Sequence, residues 1–134
     1  MKRSPALLKL SREHHTALSL ALRIERATNA AAQDILLATL PALFRGELEP
    51  HFQEEEKALL PQLAQAGETA RVARTLEEHR QIRDLVGRMT EGDRTSLKAF
   101  GALLKAHVRF EERELFVVAQ RVLPADYLDS TGLI

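Results

Sequence analysis

The sequence predicts an all-α fold, an antiparallel up-down-up-down bundle of four helices, and three observations carry that expectation. Ala, Leu, Glu, Arg and Gln, all good helix formers, dominate 134 residues that hold 6 glycines and 4% aromatics. Four segments repeat apolar residues at the 3.6-residue period of a helix. No segment alternates apolar and polar residues between Asn-Gly or Asp-Gly turns, as a hairpin would.

The first helix is expected over about residues 4–27, with Leu7, Leu10, His14, Ala17, Leu18, Ala21 and Ile24 on one face and Thr28-Asn29 at its end. The second is expected over about 31–66, with Phe44, Leu48, His51, Phe52, Glu55, Leu59 and Leu63 inward. Pro41 and Pro50 fall inside it. Each removes an amide donor and crowds the carbonyl four residues back, so a kink or break is expected there. Gly67 is the expected stop. The third, over about 69–89, shows Val72, Leu76, His79, Ile82, Val86 and Met89, and Thr90 to Arg94 reads as a loop. The fourth, over about 95–122 with Thr95 or Ser96 as cap, shows Leu97, Phe100, Leu104, His107, Glu111, Leu115 and Val118. Pro124 ends it, and the last ten residues are expected to form a short tail.

Composition narrows the chemistry. The chain reads as one domain over residues 1–134, long enough to bury roughly 68% of the surface its unfolded form exposes. With 19 basic against 19 acidic side chains it has no charge excess to neutralise phosphates, which argues against nucleic acid as a partner. No cysteine is present, so disulfide scaffolds, zinc ribbons, thiol catalysis, iron–sulfur clusters and thiolate haem ligation are excluded. The apolar run after Lys2-Arg3 is short and broken by Lys9, unlike a signal peptide, and no segment is apolar enough to span a bilayer. A cytoplasmic protein without a membrane partner is the expectation.

What remains is histidine and carboxylate, and these recur in a pattern. Glu13-His14 is echoed by Glu78-His79, and His51-x-x-x-Glu55-Glu56-x-x-Leu59 is echoed by His107-x-x-x-Glu111-Glu112-x-x-Leu115. The chain thus looks like two helical hairpins of similar design. Residues four apart share a helix face, so His51 with Glu55, and His107 with Glu111, each aim two side chains at one point. They stand in apolar stripes, where a bare carboxylate costs several kcal/mol unless paired, protonated or metal-bound. His14, His51, Glu55, His79, His107 and Glu111 are therefore the candidate metal ligands. Imidazole with carboxylate suits iron, manganese or zinc. Four nitrogens and two carboxylates exceed the needs of one tetrahedral ion. With both glutamates bridging, two ions receive two nitrogens and two oxygens each, leaving room for a solvent bridge and an open position.

These residues resemble the hemerythrin-like, or HHE cation-binding, family. His14, His51-x-x-x-Glu55, His79 and His107-x-x-x-Glu111 match its ligand pattern, and His51-Phe52-x-x-Glu55-Glu56-x-x-Leu59-Leu60-Pro61 is especially similar to its second helix. The resemblance covers about Leu7 to Leu123. It implies a four-helix bundle holding two solvent-bridged non-haem iron ions. Members bind oxygen, sense oxygen or iron, handle nitric oxide or protect against oxidative stress. Oxygen, nitric oxide or peroxide is thus the implied partner, and binding rather than dedicated enzyme chemistry the implied activity.

The pattern departs from the oxygen carriers at two positions. Carriers have a further histidine one turn before the third-helix ligand, where this chain has Thr75. They also end on an aspartate five residues after the last histidine, whereas Glu111 stands four after His107. The chain therefore resembles the bacterial HHE branch or the iron-sensing members more than the carriers. His15 and Glu78 are the candidates to replace the missing ligand. His15, one position off the stripe, is otherwise expected at the surface or behind the ligands. Glu111 is preferred to Glu112, whose helical neighbours form a mixed face, and Glu55 to Glu56 likewise. Glu13 and Glu78 either orient the helices of the adjacent histidines or lie on solvated faces, and solvated faces are the expectation.

Three other readings compete. A phosphotransfer bundle needs an exposed histidine followed by lysine and glycine, which none of these has. A ferritin-like oxidase needs glutamate with histidine three residues on, in paired helices. A metal-free or single-metal structural bundle is the third. No Ser-His-Asp set, phosphate-cradling loop or His-Glu-x-x-His helix points to hydrolytic or nucleotide chemistry.

Overall fold

The computed structural model describes residues 2–130 and is all-helical, with four long helices and a short fifth. Helix α1 (Pro5–Arg26) opens on a proline in its first turn, where a missing amide hydrogen is no loss. Helix α2 (residues 30–65) is capped by Asn29, whose side chain accepts from the Ala32 amide at 2.8 Å. Helix α3 spans Thr69–Thr90. Helix α4 (residues 94–122) is capped by Asp93, which accepts from the Thr95 amide, rather than by Thr95 or Ser96 as expected. Asp93 wins because a carboxylate two residues before the first free amides reaches them directly. The boundaries of the long helices lie within one residue of those expected from the sequence. The expected tail instead begins with one helical turn, α5 (Ala125–Leu128), started by Pro124.

Gly67 and Gly92 close α2 and α3 with positive φ values of 92° and 85°. At each, the amide of the following residue reaches five residues back, from Glu68 to Leu63 and from Asp93 to Arg88. A left-handed residue is needed for that stop, and glycine adopts it without a Cβ penalty. Gly101 serves a different end. A Cβ there would meet Ile24 Cγ2 at 3.0 Å, so its absence lets α4 approach α1 closely.

Neither Pro41 nor Pro50 breaks α2. The helix instead widens into two π-helical turns, Phe44–Leu48 and Glu55–Leu59, and α4 does so once, over Glu111–Leu115. The widening shows in amides that reach five residues back, Glu49 to Phe44, Leu60 to Glu55 and Phe116 to Glu111. The turns at Glu55 and Glu111 follow the spacing of the buried residues, whereas the Phe44–Leu48 turn, just ahead of Pro50, has no counterpart at the equally spaced Phe100, Leu104 and Val108. In α1 and α3 the stripes run at alternating threes and fours, as in Leu7, Leu10, His14, Ala17, Ala21 and Ile24. In α2 they run at unbroken fours, Leu36, Leu40, Phe44, Leu48 and Phe52, then His51, Glu55, Leu59 and Leu63. In α4 the same spacing joins His107, Glu111, Leu115 and Ala119. Steps of four overshoot an α-helical turn by about 40° each, and one wider turn takes up the overshoot.

Helix α1 lies along α4, α3 along α4, and α2 along α3. Two apolar clusters result. One joins Leu20 and Ile24 of α1, Leu40 and Phe44 of α2, Ile82 and Met89 of α3, and Phe100 and Leu104 of α4. The other joins Leu7 and Leu10, Leu59 and Leu63, and Leu115 and Phe116, with Tyr127 and Leu128 of the last helical segment packed against it. Two expected core positions are exposed, Leu18 and Leu76, while Leu20 and Thr75 are buried. Among the described residues no helix is long and apolar enough to cross a membrane.

Candidate metal centre

Between the two apolar clusters lies a polar layer. Eight polar or charged side chains are buried among the described residues. Two of them, Thr75 and Ser96, satisfy their hydroxyls on the carbonyls of Arg71 and Asp93. The other six are His14, His51, Glu55, His79, His107 and Glu111, each at most 3% exposed. All six expected ligand positions thus converge in one place, contributed by four helices.

They form two groups, His14, His51, Glu55 and Glu111, and Glu55, His79, His107 and Glu111, whose ligand atoms lie within 4.8 Å of one another. The two glutamates belong to both. His14 Nε2 meets Glu111 Oε1 at 2.7 Å and His79 Nε2 meets Glu55 Oε1 at 3.0 Å. His51 Nε2 and His107 Nε2 lie 3.3 Å from Glu55 Oε2 and Glu111 Oε2. Those four atoms make no hydrogen bond at all. Leaving buried donors and acceptors unmade costs of order 1–3 kcal/mol each. Four such atoms turned toward each other, on histidine and carboxylate, fit a pair of cations held between them.

The electrostatics match. Burial works against charge on His107, but the Glu111 carboxylate, followed by Glu78 and Glu55, pushes its pKa up to about 10. His51 is raised well above its ordinary value against the same burial, chiefly by Glu55, and His14 is raised by Glu111 and Glu112. Glu111 moves the other way, held well down by His107, His14 and His51 in spite of complete burial. Without metal, His14, His51 and His107 thus favour the imidazolium form and Glu111 the carboxylate. Phe52 stacks on His79 with centroids 3.9 Å apart, and Phe116 stacks on His14 at 5.4 Å, one from each apolar cluster.

Glu111 faces inward, and Glu112 does not, as the stripe predicts. His15 is exposed and away from the layer, so it replaces no ligand. Thr75 spends its hydroxyl on its own helix and offers none. The solvated faces expected for Glu13 and Glu78 are a correction. Glu13 accepts from His51 Nδ1 at 2.9 Å and Glu78 from His107 Nδ1 at 2.7 Å. Glu56 and Glu112 likewise accept from His79 Nδ1 at 2.7 Å and His14 Nδ1 at 2.5 Å. Sequence reasoning missed these four because each pairs with a histidine on another helix. The available signal was adjacency, since each directly precedes or follows an inward ligand.

The family model of the hemerythrin HHE cation-binding domain matches residues 7–119. No curated protein and no solved structure matches the chain.

Proposed function

Because this chain belongs to the hemerythrin HHE cation-binding domain family, we propose that it is a non-haem di-iron protein that binds or senses oxygen, nitric oxide, peroxide or iron itself. His14 and His51 would hold one ion, His79 and His107 the other, with Glu55 and Glu111 shared between them. The single observation that carries the reading is the set of four unbonded buried atoms on His51, His107, Glu55 and Glu111. Two nitrogens and two oxygens per ion leave positions for solvent and for a small exogenous ligand. Such a pair of ions supplies reversible ligand binding or electron exchange at those positions.

The chain's own residues do the rest. Glu55 and Glu111 would supply two negative charges to balance the cations, and the four imidazoles would supply the nitrogen donors. Phe52 and Phe116 cover the layer from either cluster and limit the approach of water. We read the architecture as a single up-down-up-down bundle. It is supported by the way low-numbered residues of α1 share a cluster with high-numbered residues of α2 and α4.

Purified protein reconstituted with iron(II) under nitrogen and then exposed to oxygen or nitric oxide tests the proposal. A new visible or near-ultraviolet absorption band on adding the gas is expected, and no change with any of these ligands would refute it. A metal-free or single-metal bundle is the second reading, favoured by the satisfied His14–Glu111 and His79–Glu55 pairs. A metal-free bundle predicts unchanged thermal stability after exhaustive chelation, since any ion bound only by the folded chain must stabilise it, and a single-metal bundle predicts one ion per chain.

A further inference from the structure

The four outer carboxylates follow one rule. His14 of α1 is held by Glu112 of α4, and His51 of α2 by Glu13 of α1. His79 of α3 is held by Glu56 of α2, and His107 of α4 by Glu78 of α3. Each histidine is thus held by the preceding helix in chain order, with α1 held by α4 to close the cycle. No histidine relies on its own helix. A cation backs each carboxylate from outside: Arg3 to Glu112 at 2.9 Å, Lys9 to Glu13 at 3.2 Å, Arg83 to Glu56 at 2.8 Å and Arg74 to Glu78 at 3.0 Å.

Residue chemistry turns this geometry into a constraint. An ionised carboxylate only accepts hydrogen bonds, so the ring nitrogen facing it carries the hydrogen. A neutral imidazole with hydrogen on Nδ1 has its lone pair on Nε2, and in all four rings Nε2 faces the centre. We propose that Glu13, Glu56, Glu78 and Glu112 are positioning residues that fix the tautomer and orientation of the four histidines for metal binding. The proposal rests on the dinuclear centre above. It also explains the dipeptides of the sequence. One residue along a helix turns the side chain by about 100°, from facing the centre to facing a neighbouring helix. Glu13-His14, Glu78-His79, Glu55-Glu56 and Glu111-Glu112 each place one member inward and one on the adjacent helix's ring.

Zinc(II), which is diamagnetic and takes the same donors, is the probe, with iron(II) as a second metal. Affinity is measured on the full chain by competition with a chromophoric chelator for wild type and for Glu13→Gln, Glu56→Gln, Glu78→Gln and Glu112→Gln. Each Gln variant is expected to bind about 10–100-fold more weakly, with helicity retained and with Glu→Asp recovering part of the loss. Nitrogen-15 spectra of the zinc-loaded wild type are expected to show all four ligand histidines with hydrogen on Nδ1 and metal on Nε2. A merely structural ion pair would change the melting of the metal-free chain and leave affinity and tautomer alone. Tight wild-type binding with four unaffected Gln variants, or metal on Nδ1, overturns this inference while leaving the centre standing. A wild-type chain that takes up neither metal overturns both.

Discussion

The second and fourth helices carry the same motif on two different backbones. In α2, His51-x-x-x-Glu55-Glu56 lies in a run with three prolines and two π-helical turns. In α4, His107-x-x-x-Glu111-Glu112 lies in a run with none, yet a π-helical turn begins at the same residue of the motif. The turn therefore belongs to the motif's spacing and not to proline. The halves differ again at the covering aromatics. Phe52 follows His51, where the fourth helix has Val108 after His107, and Phe116 follows Leu115, where the second has Leu60 after Leu59. The inward histidines and glutamates and the carboxylates that hold them are duplicated, whereas the covering aromatics are not.

That comparison can be broken most severely at the shared carboxylates. Glu55→Ala and Glu111→Ala each remove a ligand from both groups, so either one should abolish binding of both ions, as metal analysis after gel filtration would show. If one of the two retained full loading, the halves would not be equivalent. Next in size are the unduplicated rings. Phe52→Ala and Phe116→Ala should each cost about 3–5 kcal/mol in chemical denaturation, whereas Val108→Ala should cost clearly less.

The pH dependence of the metal-free chain is a smaller effect with a definite sign. His14, His51 and His107 have folded-state pKa values raised above the ordinary 6.5, His107 to about 10. Their contribution to stability is fully present below about pH 6.5 and is lost as pH rises toward 10. Melting of the metal-free chain should therefore fall by several degrees across that window, while the metal-loaded chain, whose imidazoles are already neutral, should fall less. Equal slopes would mean that the metal does not sit on these rings. Smallest of all, Pro61→Ala should leave metal loading unchanged, because the fourth helix builds the same turn without proline.

Much of this was legible in the sequence. The six inward residues announce themselves because histidine and glutamate interrupt apolar stripes at four-residue spacing. Leu18 and Leu76 are exposed in spite of their hydrophobicity because they fall off the spacing of the buried stripe. The stripe Val72, Thr75, His79, Ile82, Val86 and Met89 keeps alternating threes and fours, and it selects Thr75, whose hydroxyl is satisfied by Arg71. The π-helical turns were less legible, since the same steps of four run through a plain α-helix at Phe100, Leu104 and Val108. The outer carboxylates were legible only as the sequence neighbours of inward residues. Glu13 and Glu78 have the pattern of ordinary solvated helix residues, and only the approach of a neighbouring helix gives them histidine partners.

The central claim is that two ions share Glu55 and Glu111. Mössbauer spectroscopy of the iron-loaded chain, with iron counted against protein, tests it most directly. Two irons per chain in a magnetically coupled pair is the predicted result. A single uncoupled iron, or no iron retained by the folded chain, would contradict it.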